Sequence, residues 1–178
     1  MGNAHSLQQG VMQGDIGPKP MPAPILSVAD LAALLPARGA LLGLDLGTKT
    51  IGVATSDAAR RLATGVETVA RTAFSADAKR LLALAAERNC AGFVLGLPLN
   101  MDGSEGPRAQ SVRAFARNLA KLTELPIALW DERLSTAAVE RDLIGADVSR
   151  RKRAAVIDQH AAAFILQGAL DRLRHLQN

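Results

Sequence analysis

The spacing of apolar residues changes period along this chain, and the changes mark out its elements. Ala40–Leu46 is an almost unbroken apolar run, the pattern of a strand buried on both faces. Thr50–Ser56 is rich in β-branched residues and follows a Gly47–Lys49 turn. Residues 65–70 read as a third strand, so that the three form an antiparallel meander. The period then lengthens. Residues 75–88 place Leu81, Leu82, Leu84 and Ala85 at helical spacing. Residues 91–97 are a second buried strand, followed by a loop over 98–107. Residues 108–122 set Val112, Phe115, Ala116 and Leu119 on one helical face. A strand over 127–132, a helix over 136–144 and a long helix over 150–176 complete the pattern. Three strands followed by α-β-α-β-α predict a layered α/β domain.

The first 26 residues lack this periodicity. Gly17-Pro18-Lys19-Pro20-Met21-Pro22-Ala23-Pro24 suits neither a helix nor a central strand. The sequence therefore predicts a flexible leader over 1–38 and a folded domain over 39–178. Within the leader, Ser27 is placed to cap a short helix over 28–35 that Pro36 would stop. Met1-Gly2 with Ser6 matches the short N-myristoylation pattern, but no polybasic second anchor accompanies it.

Composition narrows the function. With 178 residues and 48% hydrophobic content the chain can bury one real core. It has neither a signal-peptide pattern nor a run near the roughly 18 apolar residues of a membrane helix, so a soluble, cytoplasmic protein is expected. Its single cysteine, Cys90, excludes an internal disulfide framework or a cysteine zinc site. The net charge of +4 is compatible with a polyanionic partner. With 3% aromatic residues and no tyrosine, base stacking is a poor basis for binding, and backbone contacts would dominate.

Three acidic positions interrupt core patterns. Asp45 lies inside Leu41-Leu42-Gly43-Leu44-Asp45-Leu46, where an ionised carboxylate is costly unless paired or bound to metal. A buried salt bridge or a turn cap would also explain it. Asp131 and Glu132 end the strand over 127–132. Adjacent strand residues face opposite ways, so one of them can join Asp45, and alternation alone does not say which. Asp158 shares a helical stripe with Ala161, Ala162, Ile165 and Ala169, although pairing with Lys152 or Arg153 would equally suit it. Carboxylates of this kind are ligands for hard divalent cations such as Mg²⁺ or Mn²⁺.

Four segments together carry a family resemblance. Gly43-Leu44-Asp45-Leu46-Gly47-Thr48-Lys49 with Ile51-Gly52-Val53-Ala54 and Ser56-Asp57 resembles the first motif of the YqgF (RuvX) family. Gly96-Leu97-Pro98-Leu99-Asn100-Met101-Asp102-Gly103 resembles its second, Asp131-Glu132-Arg133-Leu134-Ser135-Thr136 its third, and Asp158 with Ala161, Ala162, Ile165 and Leu166 its fourth. The match runs in order over residues 40–175. Thr50 departs from it, standing where the family more often has a basic residue.

The resemblance implies a ribonuclease H-like fold related to the RuvC resolvases: a mixed five-stranded sheet in the order 3-2-1-4-5 with helices on both faces. It implies a nuclease linked to processing the 5′ end of precursor 16S ribosomal RNA, with branched DNA as the alternative substrate. Asp45, Glu132 and Asp158 would form the acidic site and hold Mg²⁺ or Mn²⁺, as two ions, with Asp131 in reserve for Glu132. Lys49, Asn100, Arg133, Arg151, Lys152 and Arg153 would meet substrate. RuvC relatives act as dimers, which leaves a homodimer open here. Two other classes compete. An Asp-x-Gly-Thr phosphate loop also opens actin, Hsp70 and sugar-kinase domains, but those proteins need two such domains around a cleft. A non-catalytic nucleic-acid-binding module would have no use for buried carboxylates.

Overall fold

The computed structural model describes residues 21–135 and 150–178, with side chains from 154 onward in the second stretch. The helix expected over 136–144 lies outside the described residues, as do the side chains of Arg151, Lys152 and Arg153.

The elements follow the apolar pattern closely. Strand β1 is Ile25–Ser27, helix α1 Val28–Ala32, β2 Ala40–Leu46, β3 Thr50–Ser56, β4 Ala63–Ala70, α2 Phe74–Glu87, β5 Cys90–Leu97, α3 Pro107–Ala120, β6 Ile127–Asp131 and α4 Arg150–Leu176. A single 3₁₀ turn, Glu132–Leu134, follows β6. β2, β3 and β4 form the expected antiparallel meander, while β5 and β6 run parallel to β2. The order across the sheet is β1-β6-β5-β2-β3-β4. Leaving β1 aside, this is the predicted 3-2-1-4-5 order of a ribonuclease H-like sheet.

β1 corrects the sequence expectation. The flexible leader was expected to reach residue 38, but from Ala23 onward the chain is docked. The Ala23 amide donates to the Ala120 carbonyl at 2.8 Å, and Ala23 is buried. Ile25 and Ser27 then pair in parallel with Ile127 and Leu129, adding a sixth strand at the sheet edge. Pro22 and Pro24 are compatible with this because an edge strand need not donate from every residue. The cap on α1 is as expected: the Ser27 side chain accepts the Asp30 amide at 3.1 Å. The helix itself stops at Ala32, short of the expected 35, and Ala33 and Leu34 continue it as a turn.

Strand alternation sorts the core into two layers. Leu42, Leu44, Leu46, Ile51, Val53, Phe93, Leu95 and Ile127 pack with α2 and α3 on one face. Leu41, Ala54, Val94, Ala128 and Trp130 pack with α1 and α4 on the other. On the α4 side the central strands present glycines, and the helix comes down onto them. A Cβ on Gly43 would lie 2.7 Å from the Leu166 Cβ, and one on Gly52 would collide with the Asp158 carbonyl. These two positions explain why the alanine-bearing stripe of α4, including Ala162 and Ala169, sits so close to the sheet.

Candidate functional site

Asp45 has the alternation parity of Leu41 and Gly43, which puts it on the α4 face near the C-terminal end of β2. Its register partner across β3 is Gly52. The backbone of Asp158 rests over Gly52, so the missing side chain there is what lets α4 deliver Asp158 beside Asp45. Asp158 is oriented by Thr50, whose hydroxyl donates to its Oδ2 at 2.8 Å. The residue that departs from the family pattern thus has a definite partner in the acidic site.

The third carboxylate comes from the far side of β5. Val94 and Gly96 face α4, and a Cβ on Gly96 would lie 2.6 Å from Glu132 Oε1. Glu132 continues the parity of Ala128 and Trp130, which also face α4. Asp131 has the opposite parity and a different role. It accepts from the Arg133 backbone amide at 3.0 Å and forms an ion pair with the Arg133 guanidinium at 2.7 Å. That pairing, led by the Arg133 hydrogen bond, holds the Asp131 carboxyl below the usual range. The ambiguity between the two acids in the sequence therefore resolves geometrically: Glu132 is turned toward Asp45, and Asp131 is engaged by Arg133.

The acids perturb one another. Burial pushes the Asp45 carboxyl up, the Asp158 charge adds to the rise, and Arg108 opposes it. Glu132 is pushed up to about 7, chiefly by burial and then by the Asp45 charge, again with Arg108 opposing. A cation placed among them would reverse both effects, which is the electrostatic character of a cation site. Among the described residues no three Asp, Glu, His or Cys side chains are gathered tightly enough to cage an ion. The chemistry of the donor set, carboxylate oxygens alone, is that of hard divalent cations, which can be held by one or two carboxylates with waters completing the shell.

The other expected contacts are distributed around this end of the sheet. Lys49 is exposed on the β2–β3 turn beyond Asp45. Asn100 is exposed, but its amide donates to Ser104 Oγ at 2.9 Å and its backbone braces the loop before α3. Arg133 also reaches the Met101 carbonyl at 3.3 Å, tying the end of β6 to that loop. Along α3 and its C-cap, Arg113, Arg117 and Lys121 recur every four residues; Arg113 is paired with Glu105, while Arg117 and Lys121 are exposed. Arg108, the second residue of the same helix, escaped the sequence reading although it is the cation acting on both Asp45 and Glu132. The available signal was its position at the start of the helix that follows the second motif.

A family model described as "RuvX: Holliday junction resolvase" matches residues 39–172. A protein of Rhodopseudomonas palustris strain BisB5 named "Putative pre-16S rRNA nuclease" is 80% identical over 153 residues, 86% of this chain and 96% of its own length. A Bradyrhizobium sp. ORS 278 protein of the same name is 76% identical over 157 residues, 88% of this chain and 98% of its own. Among solved structures, Thermus thermophilus RuvC in complex with a Holliday junction substrate covers 74% of this chain and 92% of its own at 11% identity and a TM-score of 0.44.

Proposed function

The chain belongs to the RuvX family, and from that premise we propose that it is a divalent-metal-dependent nuclease that hydrolyses phosphodiester bonds in structured nucleic acid, its substrate being precursor 16S ribosomal RNA. The observation that supports this reading is that Asp45, near the end of β2, lies in electrostatic reach of both Asp158 on α4 and Glu132 just after β6. An assembly that costs stability in this way is accounted for by the cation it would hold.

In the hydrolysis, the oxygen of a water adds to phosphorus, the bond to the leaving oxygen breaks, and that oxygen gains a proton. Asp45, with Glu132 and Asp158 on either side, would hold Mg²⁺ or Mn²⁺, and two such ions would help generate the nucleophile and stabilise the leaving oxygen. Thr50 keeps Asp158 turned inward. Glu132, whose carboxyl is pushed up to about 7 in the absence of a cation, would have to be deprotonated to hold one. Lys49 and the basic start of α4, which includes Arg151, Lys152 and Arg153, would attract the polyanion. The work of such an enzyme is cytoplasmic. Among the described residues no helix is long and apolar enough to cross a membrane.

The family description favours one second reading, cleavage of a four-way DNA junction, with a homodimer supplying two cuts. A single assay separates the readings. Purified protein is given precursor 16S RNA and a four-way junction side by side, with Mg²⁺, Mn²⁺ or EDTA. Metal-dependent cleavage of the RNA is expected, and Asp45→Asn should lower its rate by at least about 10²-fold, as loss of charge at a metal ligand weakens both binding and chemistry. A folded Asp45→Asn protein cutting at the wild-type rate would end the assignment. Selective junction cleavage would transfer it to DNA.

A further inference from the structure

Beside the acidic site lies a second, separate concavity. A cavity of about 170 Å³ opens between the β2–β3 turn and the first turn of α3, walled by Gly47, Thr48, Arg71, Pro107, Arg108 and Ser111. That is several times the roughly 30 Å³ share of one water. Its wall also includes Leu46, the residue after Asp45, and Arg108 in that wall is the cation acting on Asp45 and Glu132, so the cavity lies at the same end of the sheet as the acids.

Its chemistry is one-sided. Two guanidinium groups and two hydroxyls line it, and no carboxylate does. Arg71 is fixed in place: its Nη1 donates to the Gly47 carbonyl at 2.7 Å, its backbone amide donates to the Lys49 carbonyl at 2.9 Å, and its guanidinium lies 5.8 Å from the centre of the Phe115 ring. These contacts hold the turn and the cavity wall in shape before any ligand arrives. Arg108 differs in being exposed and making no ion pair among the described residues, so its planar fork is available to an incoming oxyanion.

We propose that this cavity seats a backbone phosphate next to the one being cleaved, with Arg108 as its principal ligand and Ser111 and Thr48 as hydroxyl donors. The proposal rests on the nuclease reading and adds to it the element that sets register. A phosphate docked at Arg108 fixes which neighbouring phosphodiester lies over Asp45. Arg108 consequently faces two ways, toward the acids on one side and toward the nucleic-acid backbone on the other. A contact of this kind positions the strand and carries no base sequence information.

The test replaces single phosphates in a substrate oligonucleotide with neutral methylphosphonates and measures binding to the full chain by fluorescence anisotropy in EDTA. For the wild type, one position beside the cleavage point should weaken binding about tenfold, the scale of one charge-assisted contact. In Arg108→Gln that position should become silent while the others keep their effects. Arg108→Lys, which retains charge without the fork, should show an intermediate loss. Circular dichroism melts confirm that each variant is folded. A scan unchanged by Arg108→Gln overturns the proposal, even if that variant shifts the pH profile of cleavage, since such a shift alone marks an electrostatic influence on the acids. Inorganic phosphate that competes for the wild type while the scan stays flat would identify a site for free anion and also overturn it. A wild-type protein that neither binds nor cuts any nucleic acid would remove the nuclease reading itself, and the proposal with it.

Discussion

At the scale of single residues, the acidic site is a problem of charge placed where charge is unwelcome. Glu132 shows this most clearly, because its carboxyl rises from the ordinary 4.5 to about 7. An acid whose folded pKa exceeds its unfolded one holds more protons folded, so the stability Glu132 contributes is fully present below about pH 4.5 and is lost as pH rises through 7. The acids held low, Asp57, Asp102, Glu105 and Asp131, act in the opposite direction, but their effect is complete by about pH 5. Metal-free protein should therefore lose on the order of 2 kcal/mol between pH 5 and 8, and Glu132→Gln should flatten most of that slope. Melting curves in EDTA across that range provide the check, and an equal slope in the variant would refute the assignment. Asp45 and Asp158 were legible in the sequence because each breaks an apolar pattern. The choice between Asp131 and Glu132 was not, since alternation fixes relative and not absolute facing until α4 is seen to cover Ala128 and Trp130.

At the scale of elements, the site depends on how near α4 comes to the sheet. Gly52 sets that distance under Asp158. Alanine there cannot be absorbed by a flexible side chain, because the atom it meets is backbone. Gly52→Ala should cost about 3 kcal/mol, the upper part of the range for overpacking, and lower the melting temperature by roughly 10 °C. It should also reduce cleavage out of proportion to any loss of folded protein, because Asp158 moves with the helix. An unchanged melting temperature would show that the approach is looser than described. The long elements were readable because their period is strong: the last helix appears over the expected residues and the meander has the expected sense. β1 was missed because three residues among prolines carry no period, and its order comes from the exposed edge of β6, a contact distant in sequence.

At the scale of the molecule, β1 closes an edge that would otherwise offer free backbone groups to another chain. A protein lacking residues 1–26 should melt several degrees below one lacking residues 1–20, the difference measuring what Ala23, Ile25 and Leu26 contribute. Equal melting temperatures would show that the edge pairing adds nothing. The sheet order, five strands of it, was legible from the family resemblance. The cavity beside the site was not, because its walls come from a turn, a strand end and a helix start that share no local motif. On the proposed reading, the same dispersal would govern when a newly made chain becomes able to cut nucleic acid. Asp45 leaves the ribosome first, Glu132 much later and Asp158 last, roughly ten seconds of synthesis after the first. A polypeptide still attached to its ribosome and lacking α4 carries only part of the acidic set, so the proposed nuclease would stay disarmed by the order of its own sequence while ribosomal RNA lies nearest to it.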